Sequence, residues 1–147
     1  MKRKIKIILS LLLLFVSLGL TAQSNNQTTL QKLINKDWVL IHEVSGYESY
    51  VCKINYTTTK SVISVIHNGV TSYDEGDDSD FYLSDQIETT FDYSKVGNVQ
   101  NGKYIIEYIP DLNGESIFHV DEIITITDTY LEIKSHTSGK TYKYTAQ

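Results

Sequence analysis

One cysteine, one proline, one arginine and one tryptophan are all that the 147 residues contain of those four types. With Cys52 alone, no disulfide forms within the chain, and the fold has to be held by burial and hydrogen bonding. Cys52 stands in the apolar run Tyr50-Val51-Cys52-Lys53-Ile54, where a small buried side chain is a simpler reading than a reactive thiol. The arginine is Arg3, inside the leader described below. The remainder therefore has no guanidinium with which to clamp a phosphate or carboxylate. Nor can it present the clustered basic surface that nucleic acid or an anionic membrane requires.

Catalytic signatures are equally sparse. His42, His67, His119 and His136 are the only histidines, and no two are spaced by two or four residues. A metal-ligand pattern is thus missing, and no metal or cofactor is expected. There is no Gly-x-Ser-x-Gly nucleophile turn. His42 and Glu43 are neighbours in an extended run and point to opposite faces. Nothing in the order of residues pairs two carboxylates across a cleft. These gaps argue against an enzyme.

The leader is what is plainly present. Met1-Lys2-Arg3-Lys4 is basic, Ile5 to Leu20 is largely apolar, and Thr21-Ala22 precedes Gln23. That order predicts a signal peptide over 1–22, cleaved near Ala22, with a secreted or periplasmic product. Its apolar run is shorter than the ~20 residues that span a bilayer. No cysteine marks the cleavage point for lipid attachment, so no membrane anchor is expected in the mature form. Removing Lys2, Arg3, Lys4 and Lys6 takes the net charge from −5 to −9. Residues 23–147 are expected to be one domain with a core of its own.

The last third of the chain carries the clearest architecture. Ser116 to Gln147 contains three alternating runs split by Asp128-Thr129 and Ser138-Gly139, as a three-strand meander requires. Two-residue turns would put Ile126 opposite Leu131, Ile124 opposite Ile133, Ile133 opposite Tyr144 and Leu131 opposite Ala146. Ile124, Ile126, Leu131, Ile133, Tyr142 and Tyr144 then share one face. Thr125, Glu132, Lys134, His136, Thr141 and Lys143 share the other. Upstream, Thr28 or Thr29 caps a short helix over Leu30–Lys36. Strands are predicted over Trp38–Val44, Ser49–Tyr56, Val62–Ile66, Val70–Tyr73, Phe81–Leu83 and Tyr104–Ile109, with a further short strand or irregular link at Thr89–Tyr93. Asn68-Gly69 is a strong hairpin signal, and Pro110 closes a strand. About eight strands with short connections favour an all-β, antiparallel up-and-down barrel with a short N-terminal helix, a sandwich being the alternative.

A helix, an Asp37-Trp38 strand start and the closing hairpin DEIITIT-DT-YLEIK together resemble the small secreted bacterial lipocalin-like domain family. Phe81-Tyr82-Leu83-Ser84-Asp85, Phe91 to Gly97 and Asn101 to Ile106 look like a motif series from a secreted subset of it. The resemblance covers nearly all of residues 23–147 and implies a lipocalin-like barrel. In lipocalins proper, a Gly-x-Trp opens the first strand and an arginine from the last strand covers the Trp. Here Lys36 stands in the Gly position, and Lys140 or Lys143 is the expected substitute for the arginine.

Eleven tyrosines complete the inventory. Their apolar rings and polar tips suit a binding surface, although they also simply favour strands. Tyr104, Ile106 and Tyr108 share a face, as do Tyr142 and Tyr144. If those faces line the barrel, its mouth near Trp38, Tyr104, Tyr108 and Tyr142 would take a small amphiphilic molecule. An exported, non-enzymatic ligand-binding protein is the leading expectation. The alternative is a protein–protein or inhibitor module with a filled barrel core. The stretch Asp74 to Asp80, with five carboxylates in seven residues, would then be its contact surface. It reads as a solvated hairpin tip in preference to a calcium loop.

Overall fold

A computed structural model describes residues 27–42, 49–72, 78–109 and 117–147. The leader over 1–22 and most of the acidic stretch over 74–80 lie outside the described residues. One short α-helix, one 3-10 turn (Tyr93–Lys95) and nine strands are present among the described residues: α1 (Thr29–Leu33), β1 (Asp37–Leu40), β2 (Tyr50–Tyr56), β3 (Lys60–His67), β4 (Val70–Ser72), β5 (Asp78–Ser84), β6 (Tyr104–Ile109), β7 (Ile117–Ile126), β8 (Tyr130–Ser135) and β9 (Thr141–Ala146).

Eight strands close a ring in the order β1-β2-β3-β5-β6-β7-β8-β9, and β9 pairs back onto β1; every pairing is antiparallel. This is the expected up-and-down barrel, in which closure removes the free sheet edges that invite aggregation. The ring is sealed where Trp38 pairs with Ala146 and Gln147 N–H donates to the Asp37 carbonyl at 2.9 Å. β4 stands outside the ring as the return arm of a hairpin on β3. Its turn is Asn68-Gly69, both with left-handed φ (52° and 79°), as a two-residue hairpin turn requires. β5 takes over the β3 edge at Lys60–Val62. The acidic stretch therefore ends in a strand rather than a loop: Asp78, Ser79 and Asp80 open β5, and Ser79 is buried.

Local chemistry fixes the closed end. Thr28 and Gln31 form a reciprocal capping box, Gln31 N–H to Thr28 Oγ1 at 3.2 Å and Thr28 N–H to Gln31 Oε1 at 2.9 Å. The helix stops at Leu33, short of the expected Lys36. Ile34 turns extended to bridge Tyr56, and Asn35 adopts left-handed φ of 63°. Leu30 and Leu33 seal the barrel floor with Trp38, Tyr56, Leu83, Ile105, Leu131 and Tyr144. Each of these is at most 5 % exposed. At ~25 cal/mol per Å² of apolar surface, this floor is a principal source of stability. The Trp38 indole donates to the Leu33 carbonyl at 2.8 Å, satisfying one of the helix-end acceptors. The cation over Trp38 is Lys36, at 5.3 Å from the ring, rather than Lys140 or Lys143, because the lysine two residues before the Trp already lies beside it.

Residues 85–103 wrap one outer wall. No strand forms at Thr89–Tyr93; instead Phe91 and Val96 pack against the cluster of Tyr82, Ile106 and Val120, which Tyr104 and Phe118 also join. Glu88 anchors the wrap, accepting from Ser84 Oγ at 2.8 Å and from Lys95 Nζ at 2.7 Å. Gly102 lets the segment return against β5: a Cβ there would lie 2.6 Å from Ser84 N.

The C-terminal meander departs from simple alternation at two points. The Asp128-Thr129 turn and the Ile126–Leu131 pair are as expected. However, a β-bulge at Ile124 puts Ile123, not Ile124, opposite Ile133. Ile124 is 48 % exposed and leaves the inward set. The next connection is longer than two residues, so Leu131 faces Tyr144 and Ile133 faces Tyr142. That slip is of two residues, and both faces survive it.

Candidate functional site

Above the packed floor, the end of the barrel away from α1 holds a cavity of about 300 Å³. One wall is apolar, from Ile54, Ile63, Ile133, Tyr142 and Tyr144. The other carries Glu107, His119, Asp121 and Ser135. The cavity is at the lower end of the ~300–1,000 Å³ typical of small-molecule sites, and its mixed lining is of the usual kind.

Strand pairing assembles the polar wall. Glu107 on β6 faces His119 on β7, and Asp121 two residues on faces Ser135 on β8. Glu107 and Asp121 are therefore diagonal neighbours, with Cα atoms about 7–8 Å apart for such a pair. The β-bulge is what brings them inside. Without it, the parity that buries Ile126 would point Val120 and Glu122 inward and turn His119 and Asp121 out. Because Ile124 is the extra residue, Ile123, Asp121 and His119 share the interior with Ile126. Pairing with His119 then carries Glu107 inward as well.

The electrostatics are unusual for a barrel lumen. Glu107 is 7 % and Asp121 6 % exposed, and buried carboxylates are rare unless paired. Burial pushes the Glu107 carboxyl up to about 7, helped by the Asp121 carboxylate and opposed by the Ser61 hydroxyl and the His119 charge. His119 Nε2 lies 2.9 Å from Asp121 Oδ1, and this contact holds the imidazole above its ordinary value against the cost of burial. Beyond this contact, Asp121 Oδ1 has no hydrogen-bond partner among the described residues. The Ser135 and Thr137 hydroxyls, at 3.4 and 3.2 Å from its two ring nitrogens, set the imidazole plane. Near neutral pH the cluster thus exchanges a proton readily. It offers carboxylate oxygens to a donor, or a protonated Glu107 to an acceptor.

The four residues singled out from the sequence are dispersed. Tyr142 lines the cavity. Trp38 is fully buried in the floor. Tyr104 and Tyr108 do share a face with Ile106, but it is the outer one. Tyr104 packs in the outer-wall cluster, and Tyr108 meets Phe91 and Tyr93 at ring distances of 5.3 and 5.6 Å. They are not in the barrel mouth, because the bulge and the β6–β7 register turn the opposite face inward. Cys52 is half-buried, and burial pushes its thiol up, in keeping with an unreactive side chain. Among the described residues, no group of three or more His, Cys, Asp or Glu side chains is placed to hold a metal ion.

Glu107, His119 and Asp121 were not singled out from the sequence. Their signal lay in the odd-numbered positions of β6 and β7, where charged residues alternate with Ile105, Ile109 and Ile123. A second hollow of about 360 Å³ lies beside the wrap, near Leu83, Glu88, Lys95 and Asn101. There Glu88, Lys95 and Ser84 already satisfy one another, which leaves the lumen as the better candidate. Compared with known proteins, the chain matches no family model, no curated protein and no solved structure.

Proposed function

We propose that the protein is an exported binding protein, not an enzyme, which holds a small amphiphilic molecule inside the barrel. The observation that carries this reading is the lumen itself. A closed barrel of eight strands can fill completely with side chains, yet here the half away from α1 keeps a cavity of about 300 Å³. Its lining divides into an apolar wall and a polar wall, which suits a ligand with one end of each kind. Tyr142 and Tyr144 give the apolar wall flat contact area at low conformational cost. The closed floor beneath Trp38 stops the ligand from passing through. The reading of an interaction module with a filled core is disfavoured by the same cavity.

Native mass spectrometry of the protein purified gently from its own source tests the carrier reading. A mass excess lost on denaturation is expected, and it would identify the ligand class. A native mass equal to the bare polypeptide, before and after incubation with a lipid and metabolite extract, would set the reading aside.

A further inference from the structure

We infer that the polar end of the cavity's ligand is a cation, an amine held between the carboxylates of Glu107 and Asp121. This rests on the carrier reading above and adds the charge of the ligand to it.

Two buried carboxylates share the lumen with one imidazole, and no lysine lines the cavity among the described residues. Burying like charges together is costly in a medium of low dielectric, and one His119 proton does not balance two carboxylates. Asp121 Oδ1 supplies a second pointer: it is buried, it belongs to a cavity-lining side chain, and beyond its 2.9 Å contact with His119 it has no hydrogen-bond partner among the described residues. A carboxylate oxygen accepts more than one hydrogen bond, so this buried atom keeps capacity for a further donor. An ammonium carries three N–H donors and one positive charge. It would complete the hydrogen bonding of Asp121, hold Glu107 ionised and balance the pair. The apolar wall of Ile54, Ile63, Ile133 and Tyr142 would take an aromatic or short aliphatic body. A carboxylate ligand would meet repulsion at the same place. The titratable groups around Glu107 are Asp121 and His119 on β7, Tyr56 on β2 and Tyr144 on β9, the last two held in their neutral form by burial. None of these supplies a fixed positive charge.

Isothermal titration of the purified protein at pH 8 with three probes of one shape tests this: 2-phenylethylamine, 2-phenylethanol and 3-phenylpropanoate. The amine is expected to bind about tenfold or more tightly than the alcohol, the scale of a charge-assisted contact, with the carboxylate weakest. At pH 5.5, where Glu107 is protonated, the amine's advantage should shrink. E107Q and D121N should each reduce the preference for amine over alcohol while still binding the alcohol, which shows that the cavity is intact. An alcohol or carboxylate that binds as tightly as the amine overturns the inference and leaves the carrier reading standing. If none of the three binds at millimolar concentration, the carrier reading falls and this inference falls with it.

Discussion

At the scale of single residues, Trp38 shows how one side chain joins three jobs. It fills the barrel floor, its indole N–H satisfies the Leu33 carbonyl at the end of α1, and its ring lies beneath Lys36. These contributions can be separated by substitution. Trp38→Phe keeps most of the buried ring but leaves the Leu33 carbonyl without its donor, at a cost of about 1–3 kcal/mol. Trp38→Ala removes the ring as well and is expected to cost about 3–5 kcal/mol. Urea unfolding followed by circular dichroism would rank the two variants; equal losses would show that the hydrogen bond, not the packing, dominates. The Asp-Trp strand start was legible in the sequence, but the place of Trp38 was not: expected near the barrel mouth, it is buried in the floor. Nor was the identity of its cation legible. The choice between Lys36 and the β9 lysines depends on where α1 ends, and Asn35 sets that by taking a left-handed conformation that no alternation pattern reveals.

Among the strands, one β-bulge decides which chemistry enters the lumen. The barrel, its strand order and the Asn68-Gly69 and Asp128-Thr129 turns follow from alternation and turn residues. The site does not, because both faces of β6 and β7 carry buried apolar residues. Val120 and Ile106 are apolar because Phe91 and Val96 cover them from outside, with Phe118 and Tyr104 in the same cluster. Ile105 and Ile123 are apolar because they face the core. With two buried faces, hydrophobicity no longer distinguishes inside from outside, and the extra residue at Ile124 breaks the tie. Deletions would make this visible. Removing Ile124 leaves Ile126, Ile123, Asp121 and His119 still pointing inward, at the cost of the local bend. Removing Val120 would turn His119 out of the lumen and break the Glu107–His119 register. The Ile124 deletion is expected to keep a cooperative thermal transition, and the Val120 deletion to lose it. Equal damage from both would mean that the curvature at the bulge, not the register, holds the wall together.

For the whole molecule, stability should depend on pH in a direction set by the lumen. Glu107 titrates near 7 in the folded protein, against a carboxyl's ordinary value of 4.5. Between those values the folded state binds more protons than the unfolded one, so the slope of unfolding free energy with pH is negative. The stabilisation is fully present below about 4.5 and is lost as pH rises through about 7. At ~1.4 kcal/mol per unit the loss is about 3 kcal/mol. His119, held above its ordinary value by Asp121, acts in the same sense, being stabilising below 6.5 and ceasing to be so as pH climbs past its folded value. Opposing contributions lie outside this window. Glu88, Asp92 and Glu122 are held low by Lys95, Ser94 and Lys103, chiefly through hydrogen bonds, and lose their contribution only as pH falls through the acid range. The buried Tyr56 and Tyr144 hydroxyls are pushed upward and resist ionisation until strongly alkaline pH. The protein without ligand is therefore expected to melt roughly 5–10 °C lower at pH 8 than at pH 5.5, because about 2 of those 3 kcal/mol are lost between these two pH values, the first unit above 4.5 being gone by pH 5.5. Replacing Glu107 by Gln should flatten the profile and raise the melting temperature at pH 8 above that of the parent. A parent profile that rises from pH 5.5 to 8 would mean that the lumen carboxylates are already balanced by positive charge, and the buried pair would then be a built ion pair.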